Sequence, residues 1–419
     1  MHVVIVGNGI AGVNVAAALR NASPEADVEI FASETHPLYS RVRLPEVISG
    51  ASAPEAITFY KDEWYEKRGI RVSLGSSVVS VDRAARTVRL ADGRTAGYDR
   101  LVLATGASSN RPPIPGSDAR GVHTLRTLED ALEIRAGVAA NPGSASVIGG
   151  GLLGLEAARA MKDAGAREVR VFEIFPRLLP RQLDSAGASL LSARFAAMGI
   201  EVVCSAETES FIPDSDDPLR AFAIRLKDGR VFPSATTLLS MGVRPNVALA
   251  KEAGLEVNRG IVVDEFMRTS DGAIYAVGDC AEFKGIVWGI IPAALEQAPV
   301  AARAILASTS LIAPELAVPY AQTVPKTALK VGDVELTSLG KAVLSADEES
   351  SGRYEERSRV WEGGRRYEKY VLEKGEGGDA SEPVLAGAIL YGSKAHQAQA
   401  QSLMGKPADA ETIASLLAD

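Results

Sequence analysis

The chain has 419 residues, 46% of them hydrophobic and 23% charged, enough for two or three domains with their own cores. Its 45 Lys and Arg against 53 Asp and Glu leave a formal net charge of −8, which argues against a general affinity for nucleic acid. Two cysteines, Cys204 and Cys280, are too few for an ordinary iron–sulfur cluster or a thiolate zinc site, and the four histidines form no ligand motif. The opening MHVVIVGNGIAG turns glycine-rich early and has no basic segment, so it does not read as a signal peptide. No apolar run reaches the length of a membrane span, and few cysteines suit a reducing compartment, so a cytoplasmic location is the expectation.

In chain order, residues 3–12 read VVIVGNGIAG: a short strand, then G-x-G-x-x-G, then the helix-forming VNVAAALR. A second apolar run, VEIFASE, closes on Glu34. The same device returns at residues 145–154, ASVIGGGLLG, followed by the helix-forming LEAARAMKDAG and by EVRVFE, closing on Glu173. Gly12 to Glu34 spans 22 positions and Gly154 to Glu173 spans 19, both within the dinucleotide-binding fingerprint. The spelling has a physical reason. Gly7 and Gly149 allow the tight turn, Gly9 and Gly151 let a pyrophosphate approach the backbone, and Gly12 and Gly154 let helix and strand pack closely. The helix start then offers free N–H groups to the phosphates, and the terminal acid accepts from ribose hydroxyls. Two such devices predict two dinucleotides and a hydride passed between them.

Further on stand LVLATG (101–106), LLSMGVRPN (238–246), IYAVGDCA (274–281) and WGIIPAALEQA (288–298). Past these, RYEKYVLEKG and VLAGAILYG read as strands between polar turns, with a helical tail after Ala408. The run SADEESSGRYEERSR reads as a loop or an exposed strand edge. The arginines 353, 357, 359, 365 and 366 near Trp361 read as a solvated face interleaved with Glu355, Glu356, Glu362 and Glu368, ahead of the alternative of a docking patch for an acidic carrier.

In this order the segments resemble the FAD-dependent pyridine-nucleotide oxidoreductases with two dinucleotide domains. HPLYSRVRLPEVISG (36–50), PRQLD (180–184) and VPKTALKVGDVELTSLG (324–340) point to the branch of NADH:rubredoxin reductases and the flavin part of NADH:nitrite reductases. The resemblance implies an α/β fold with two Rossmann-like domains and a small α+β C-terminal domain. The FAD-binding domain would comprise 1–115 and 239–312, the NADH-binding domain 116–238 and the C-terminal domain 313–419. It implies that Gly7, Gly9, Ala11 and Gly12 hold the FAD pyrophosphate, that Arg41 pairs with its phosphates, and that Glu34 or the preceding Ser33 meets the adenosine ribose. Val78 or Val79 would meet the adenine through backbone groups, Thr105 and Gly106 would line the chain's return, and Gly278 and Asp279 would hold the ribityl and phosphate portion. Gln297 would lie on a helix from about Pro292 to Leu306 aimed at the flavin pyrimidine. For NADH, Gly149, Gly151, Leu153 and Gly154 would form the phosphate turn, with Gly242 counted among the binding residues. Glu156 would lie near the nicotinamide or on a solvated helix face. Glu173 would accept from the 2′-hydroxyl and repel a 2′-phosphate, with Arg177 and Arg181 nearby.

Relatives that work through sulfur place a cysteine in or near the segment 40–45, where this chain reads Ser40-Arg41-Val42-Arg43-Leu44-Pro45. No side chain need then do covalent or acid–base work, and no metal is expected. The resemblance therefore implies an NADH-dependent flavoprotein reductase. It would pass electrons to a small redox protein such as rubredoxin or ferredoxin, or to an iron–sulfur or metalloenzyme subunit, as a homodimer or as part of a hetero-oligomer. The alternatives are an NADH oxidase reducing dioxygen and an NADH-responsive flavoprotein whose output is not catalytic.

Overall fold

A computed structural model describes residues 1–323, 326–331, 334–374 and 382–418. The chain divides into two units.

The first unit comprises Met1–Arg43, Ala53–Asn110 and Gly242–Val324. Its frame is a five-stranded parallel sheet in the order Ile274–Ala276, Arg100–Leu103, His2–Val6, Asp27–Phe31, Ile70–Ser73. Of these, Ile274–Ala276, Arg100–Leu103 and His2–Val6 are short, mostly apolar and mostly buried, as parallel strands covered on both faces are. The helices Ile10–Ala22 and Ile291–Ser308 pack on one another, and their buried Val13, Ala16, Ala298 and Ala301 belong to the same core as the sheet. The strand order reverses at His2–Val6, and the crevice at the carboxyl end of such a switch point is where open α/β sheets bind ligands. A three-stranded antiparallel meander (Val78–Asp82, Thr87–Leu90, Thr95–Gly97) is inserted before the return strand.

The second unit comprises Leu44–Ser52, Arg111–Met241 and Pro325–Asp419. Its parallel sheet repeats the arrangement in the order Ile200–Val203, Glu168–Phe172, Ser144–Ile148, Thr236–Leu239, Val122–Thr124, reversing at Ser144–Ile148. The helix Leu152–Asp163 follows the central strand, and the short helix Leu44–Ser49 packs against it and against Leu128–Ala140. Residues beyond 325 form an antiparallel sheet in the order Lys326–Val331, Val334–Gly340, Val384–Tyr391, Tyr367–Glu373, Tyr354–Val360, with the helices Gln397–Leu403 and Ala410–Ala418. Asp184, the N-cap of helix Ser185–Ala197, anchors this sheet to the rest of the unit. It accepts from Gly187 N, from Tyr367 Oη at 2.5 Å and from Lys369 Nζ at 3.3 Å.

The α/β class with two Rossmann-like sheets is as expected from the sequence. One detail of the charged-face reading is corrected: Glu368 is only 1% exposed. Arg366, Tyr370 and His396 each engage its carboxylate, so a charge that reads as solvated is buried with partners. Among the described residues no helix is long and apolar enough to cross a membrane.

Candidate nucleotide-binding turns

The two glycine turns have nearly the same geometry. Gly7 has φ +115° and donates to Phe31 O at 2.8 Å; Gly149 has φ +112° and donates to Phe172 O at 2.7 Å. A Cβ on Gly7 would lie 2.2 Å from Ala104 O, and one on Gly149 2.3 Å from Ser240 O, so the closeness of the neighbouring strand as well as φ demands glycine. A Cβ on Gly12 or Gly154 would meet the carbonyl of Gly7 or Gly149 at 2.0 or 2.2 Å. At Gly9 and Gly151 a Cβ would meet nothing within 4 Å. These two residues also cap their helices without a side-chain hydrogen bond, which leaves the first helical N–H groups for an outside acceptor. Open space beside unclaimed donors at a positive helix end fits a pyrophosphate at each turn.

Asn8 adds a feature the sequence reading did not single out. It is 8% exposed, its Oδ1 accepts from Tyr65 Oη at 3.2 Å, and its buried Nδ2 has no partner among the described residues. A buried donor without an acceptor is costly, so this amide fits a site that receives a polar group. In the other turn the place of Asn8 is taken by Gly150, where a Cβ would press on Leu178 and on Glu173.

The two terminal acids do different things. Glu173 is 5% exposed; its Oε2 accepts from Gly150 N at 2.7 Å and its Oε1 from Phe175 N at 3.0 Å. It follows Phe172 directly, so the matching place after Phe31 belongs to Ala32, and Glu34 stands two residues further on. Glu34 is bound by Tyr39 Oη and by Arg41 Nη2, and Arg41 also donates to Tyr39 Oη at 2.9 Å. Burial works against the Arg41 charge, but Tyr39, Glu34 and Asp279 outweigh it and hold the guanidinium above its ordinary range. Arg41, Glu34, Tyr39 and Asp279 therefore form one electrostatic group in the first unit. Tyr39 was missed because tyrosine in a loop gives no signal in sequence.

Also in the first unit, Thr105 Oγ1 donates to Asn246 O at 2.7 Å, and Asn246 closes the pair by donating to Thr105 O at 2.9 Å and its own N–H to Gly106 O. Gly278, with φ +76°, donates to Gln297 Oε1 at 2.7 Å, and a Cβ there would lie 2.8 Å from Ala11. Gln297 is buried in the helix Ile291–Ser308, whose Pro292 occupies the first turn. Val79 is 40% exposed on the meander, and Gly242 accepts from Asn110 N where the chain re-enters this unit. In the second unit Leu153 is half-buried in the first turn of its helix. Arg177 donates to Leu183 O and Pro180 O and so braces its own loop, while Arg181 is exposed. Glu156 is half-buried, and burial, with the neighbouring Glu46 carboxylate, pushes its carboxyl up to about 7.

Neither cysteine is primed as a nucleophile. Burial raises the Cys280 thiol, which lies wholly inside and reaches Leu103 O and Val277 O; burial and Glu173 raise Cys204. Of the C-terminal arginines, Arg353 pairs with Glu373 and Arg357 with Glu355; Arg359 and Arg366 flank the Trp361 ring at 5.0 and 3.9 Å. No cluster of His, Cys, Asp or Glu among the described residues could hold a metal.

A family model described as pyridine nucleotide-disulphide oxidoreductase matches residues 1–304. The chain is 34% identical over 409 residues to the nitrite reductase (NAD(P)H) of Bacillus subtilis (strain 168), covering 97% of this chain and 48% of that protein. It is 36% identical over 290 residues to the rubredoxin-NAD(+) reductase of Pseudomonas putida, covering 69% of this chain and 74% of that one. Putidaredoxin reductase, solved in a covalent complex with putidaredoxin, shares 28% identity and a TM-score of 0.82, covering 100% of this chain and 95% of that chain. The chain thus spans about half the length of the nitrite reductase it matches.

Proposed function

Since the chain belongs to the pyridine nucleotide-disulphide oxidoreductase family, we propose that this oxidoreductase takes electrons from NADH through FAD to an external redox protein. The acceptor would be a rubredoxin- or ferredoxin-like carrier or an iron–sulfur subunit of a larger metalloenzyme, and the setting the cytoplasm. The observation behind this reading is the duplication: two turns of matching geometry, each offering unclaimed helix N–H groups and room for a pyrophosphate. Bound FAD would supply a two-electron acceptor that can release electrons singly.

The residues have separate tasks. Gly7, Gly9, Ala11 and Gly12 would cradle the FAD pyrophosphate, with Asn8 donating its unpartnered amide and Arg41 meeting the phosphates. Tyr39 and Glu34 would hold Arg41 in place. Gly278, Asp279 and Gln297 would serve the far portion of FAD, with Thr105 and Gly106 beside them and Val79 at the adenine. Gly149, Gly151, Leu153 and Gly154 would hold the NADH pyrophosphate, Gly242 would line the same path, and Glu156 would meet the nicotinamide. Glu173, already fixed by two backbone donors, would take the ribose and disfavour a 2′-phosphate. The FAD-binding domain would be 1–115 with 239–312, the NADH-binding domain 116–238, and 313–419 the C-terminal domain.

That the cysteines are buried or raised supports an exit of electrons without a thiol intermediate. The rubredoxin reductase and putidaredoxin reductase likenesses support a small redox protein as acceptor. A second reading, reduction of dioxygen, draws on 32% identity over 361 residues to an NADH oxidase of Methanocaldococcus jannaschii. Steady-state assays separate the two. Rapid NADH-dependent reduction of rubredoxin or ferredoxin with slow oxygen uptake is the expected result; oxygen uptake as fast as carrier reduction would favour the oxidase.

A further inference from the structure

Of the seven asparagines in the chain, Asn8 alone is followed by glycine. In the first unit this pair stands between the strand His2–Val6 and the helix Ile10–Ala22. An asparagine loses ammonia when the next backbone nitrogen attacks its side-chain carbonyl carbon, and a side chain on that next residue obstructs the approach. Gly9 has none, and a Cβ there would meet nothing within 4 Å, so the approach is open. Neither group is held back by a competing bond. Among the described residues the Gly9 N–H has no acceptor, and Asn8 Nδ2, the leaving nitrogen, has no partner. The polar contact of the Asn8 amide is at its oxygen, where Tyr65 Oη donates to Oδ1 at 3.2 Å. Attack moves negative charge onto that oxygen, and a fixed donor aimed at it stabilises the charge. Burial raises the Tyr65 phenol, which therefore stays protonated and able to donate. The other asparagines precede larger residues. Asn14 Nδ2 also donates to Ile10 O, Asn246 Nδ2 to Thr105 O and Asn258 Nδ2 to Glu282 Oε1, and Asn141 precedes a proline, which has no N–H.

We propose that Asn8–Gly9 is a self-modifying site: in the chain without its flavin, Gly9 N attacks Asn8 Cγ and turns the amide into an acid, and bound FAD prevents this. The Gly9 N–Asn8 Cγ bond forms and the Cγ–Nδ2 bond breaks. The proton of Gly9 N leaves with Nδ2 as ammonia. Water then opens the five-membered imide at either carbonyl, giving an aspartyl or an isoaspartyl link; nothing is oxidised or reduced. The protection rests on the reading that the FAD pyrophosphate lies on the Gly7–Gly12 turn, where it would claim the Gly9 N–H and the Asn8 amide together. The product matters because of where it forms. A carboxylate at this turn is charged at neutral pH. It repels a pyrophosphate and takes the helix N–H groups for itself. An isoaspartyl link also adds a backbone carbon to a turn in which a Cβ on Gly7 or Gly12 would already lie 2.2 or 2.0 Å from a carbonyl oxygen. The site thus retires chains that have stayed empty.

The full chain, stripped of flavin or reloaded with FAD, is aged at mildly basic pH, and Asn8, Asn21 and Asn258 are followed by peptide mass spectrometry with isoaspartate detection. In the stripped chain Asn8 should convert at least about tenfold faster than Asn21 or Asn258, and FAD should slow Asn8 at least about tenfold. The capacity of the stripped chain to take up FAD should fall in step with the conversion. Tyr65→Phe should slow Asn8 and leave Asn21 as it was, a difference that an unfolded chain would not show. Asn8→Asp should weaken FAD binding at least about tenfold. Conversion no faster at Asn8 than at Asn21, equal conversion with and without FAD, or undiminished FAD uptake by converted chains would each overturn the inference. A fresh chain that takes up no FAD would overturn the cofactor reading, and the conversion of Asn8 would still be read in it. If Tyr65→Phe does not fold, the ageing of the natural chain still decides.

Discussion

Two alanines in one turn separate packing from ligand binding. A Cβ on Gly154 would sit 2.2 Å from Gly149 O, whereas one on Gly151 meets nothing within 4 Å and Gly151 has an ordinary φ of −79°. Gly154→Ala should therefore cost about 1–3 kcal/mol of stability by overpacking. Gly151→Ala should leave Tm nearly unchanged but raise KM for NADH by intruding on the phosphates. Melting curves and NADH kinetics check this, and equal losses of Tm would contradict it. Glu156 predicts a pH effect. Its carboxyl is raised from 4.5 to about 7 on folding, so between these values the folded chain binds more protons than the unfolded one. The stability it contributes is whole below pH about 4.5 and is lost as pH rises through about 7. Glu156→Gln should thus gain on the natural protein between about pH 5 and 8, by an energy on the order of 1–3 kcal/mol; a Tm difference that stays flat with pH would count against it. At this scale the glycines were legible in sequence because sterics dictate them. The partners of Glu34 were not: fingerprint spacing tolerates a few residues either way, and only strand register shows that Ala32 matches Glu173.

At the scale of elements, the strand Tyr367–Glu373 shows what hydrophobic patterning misses. Its sequence YEKYVLE reads as half polar, yet every residue but the last is buried. Lys369, 3% exposed, sits between Asp184 and Glu356 at 3.3 and 2.6 Å. These partners come from the helix start at Asp184 and from the strand Tyr354–Val360, so no local pattern could have named them. Lys369→Met should cost about 1.5–3 kcal/mol by removing charge-assisted hydrogen bonds to two carboxylates that are themselves partly exposed. Lys394→Met, which breaks the exposed pair with Glu335, should cost under about 1 kcal/mol. Denaturant melts of the two variants test the ranking, and equal costs would refute it. The parallel strands, by contrast, were legible as short apolar runs before a glycine turn. The C-terminal sheet was legible only as strands, because its order places Val384–Tyr391 beside Val334–Gly340 across a long stretch of chain.

For the whole molecule, repetition was the most informative feature of the sequence. In two parallel sheets the strand order reverses at a strand that is followed by glycine, and each places a helix start against open space. Nothing in that plan needs sulfur. The double variant Cys204→Ser, Cys280→Ala should keep NADH turnover within about twofold, since both thiols are held in their unreactive neutral form; a loss of turnover with the fold intact would mean that a thiol takes part. Anaerobic titration of the purified protein with NADH under visible absorption shows whether one chain binds two dinucleotides. The expected result is a yellow protein whose flavin bands bleach with one equivalent of NADH per chain. A folded protein that is colourless, takes up no added FAD and shows no bleaching would contradict it.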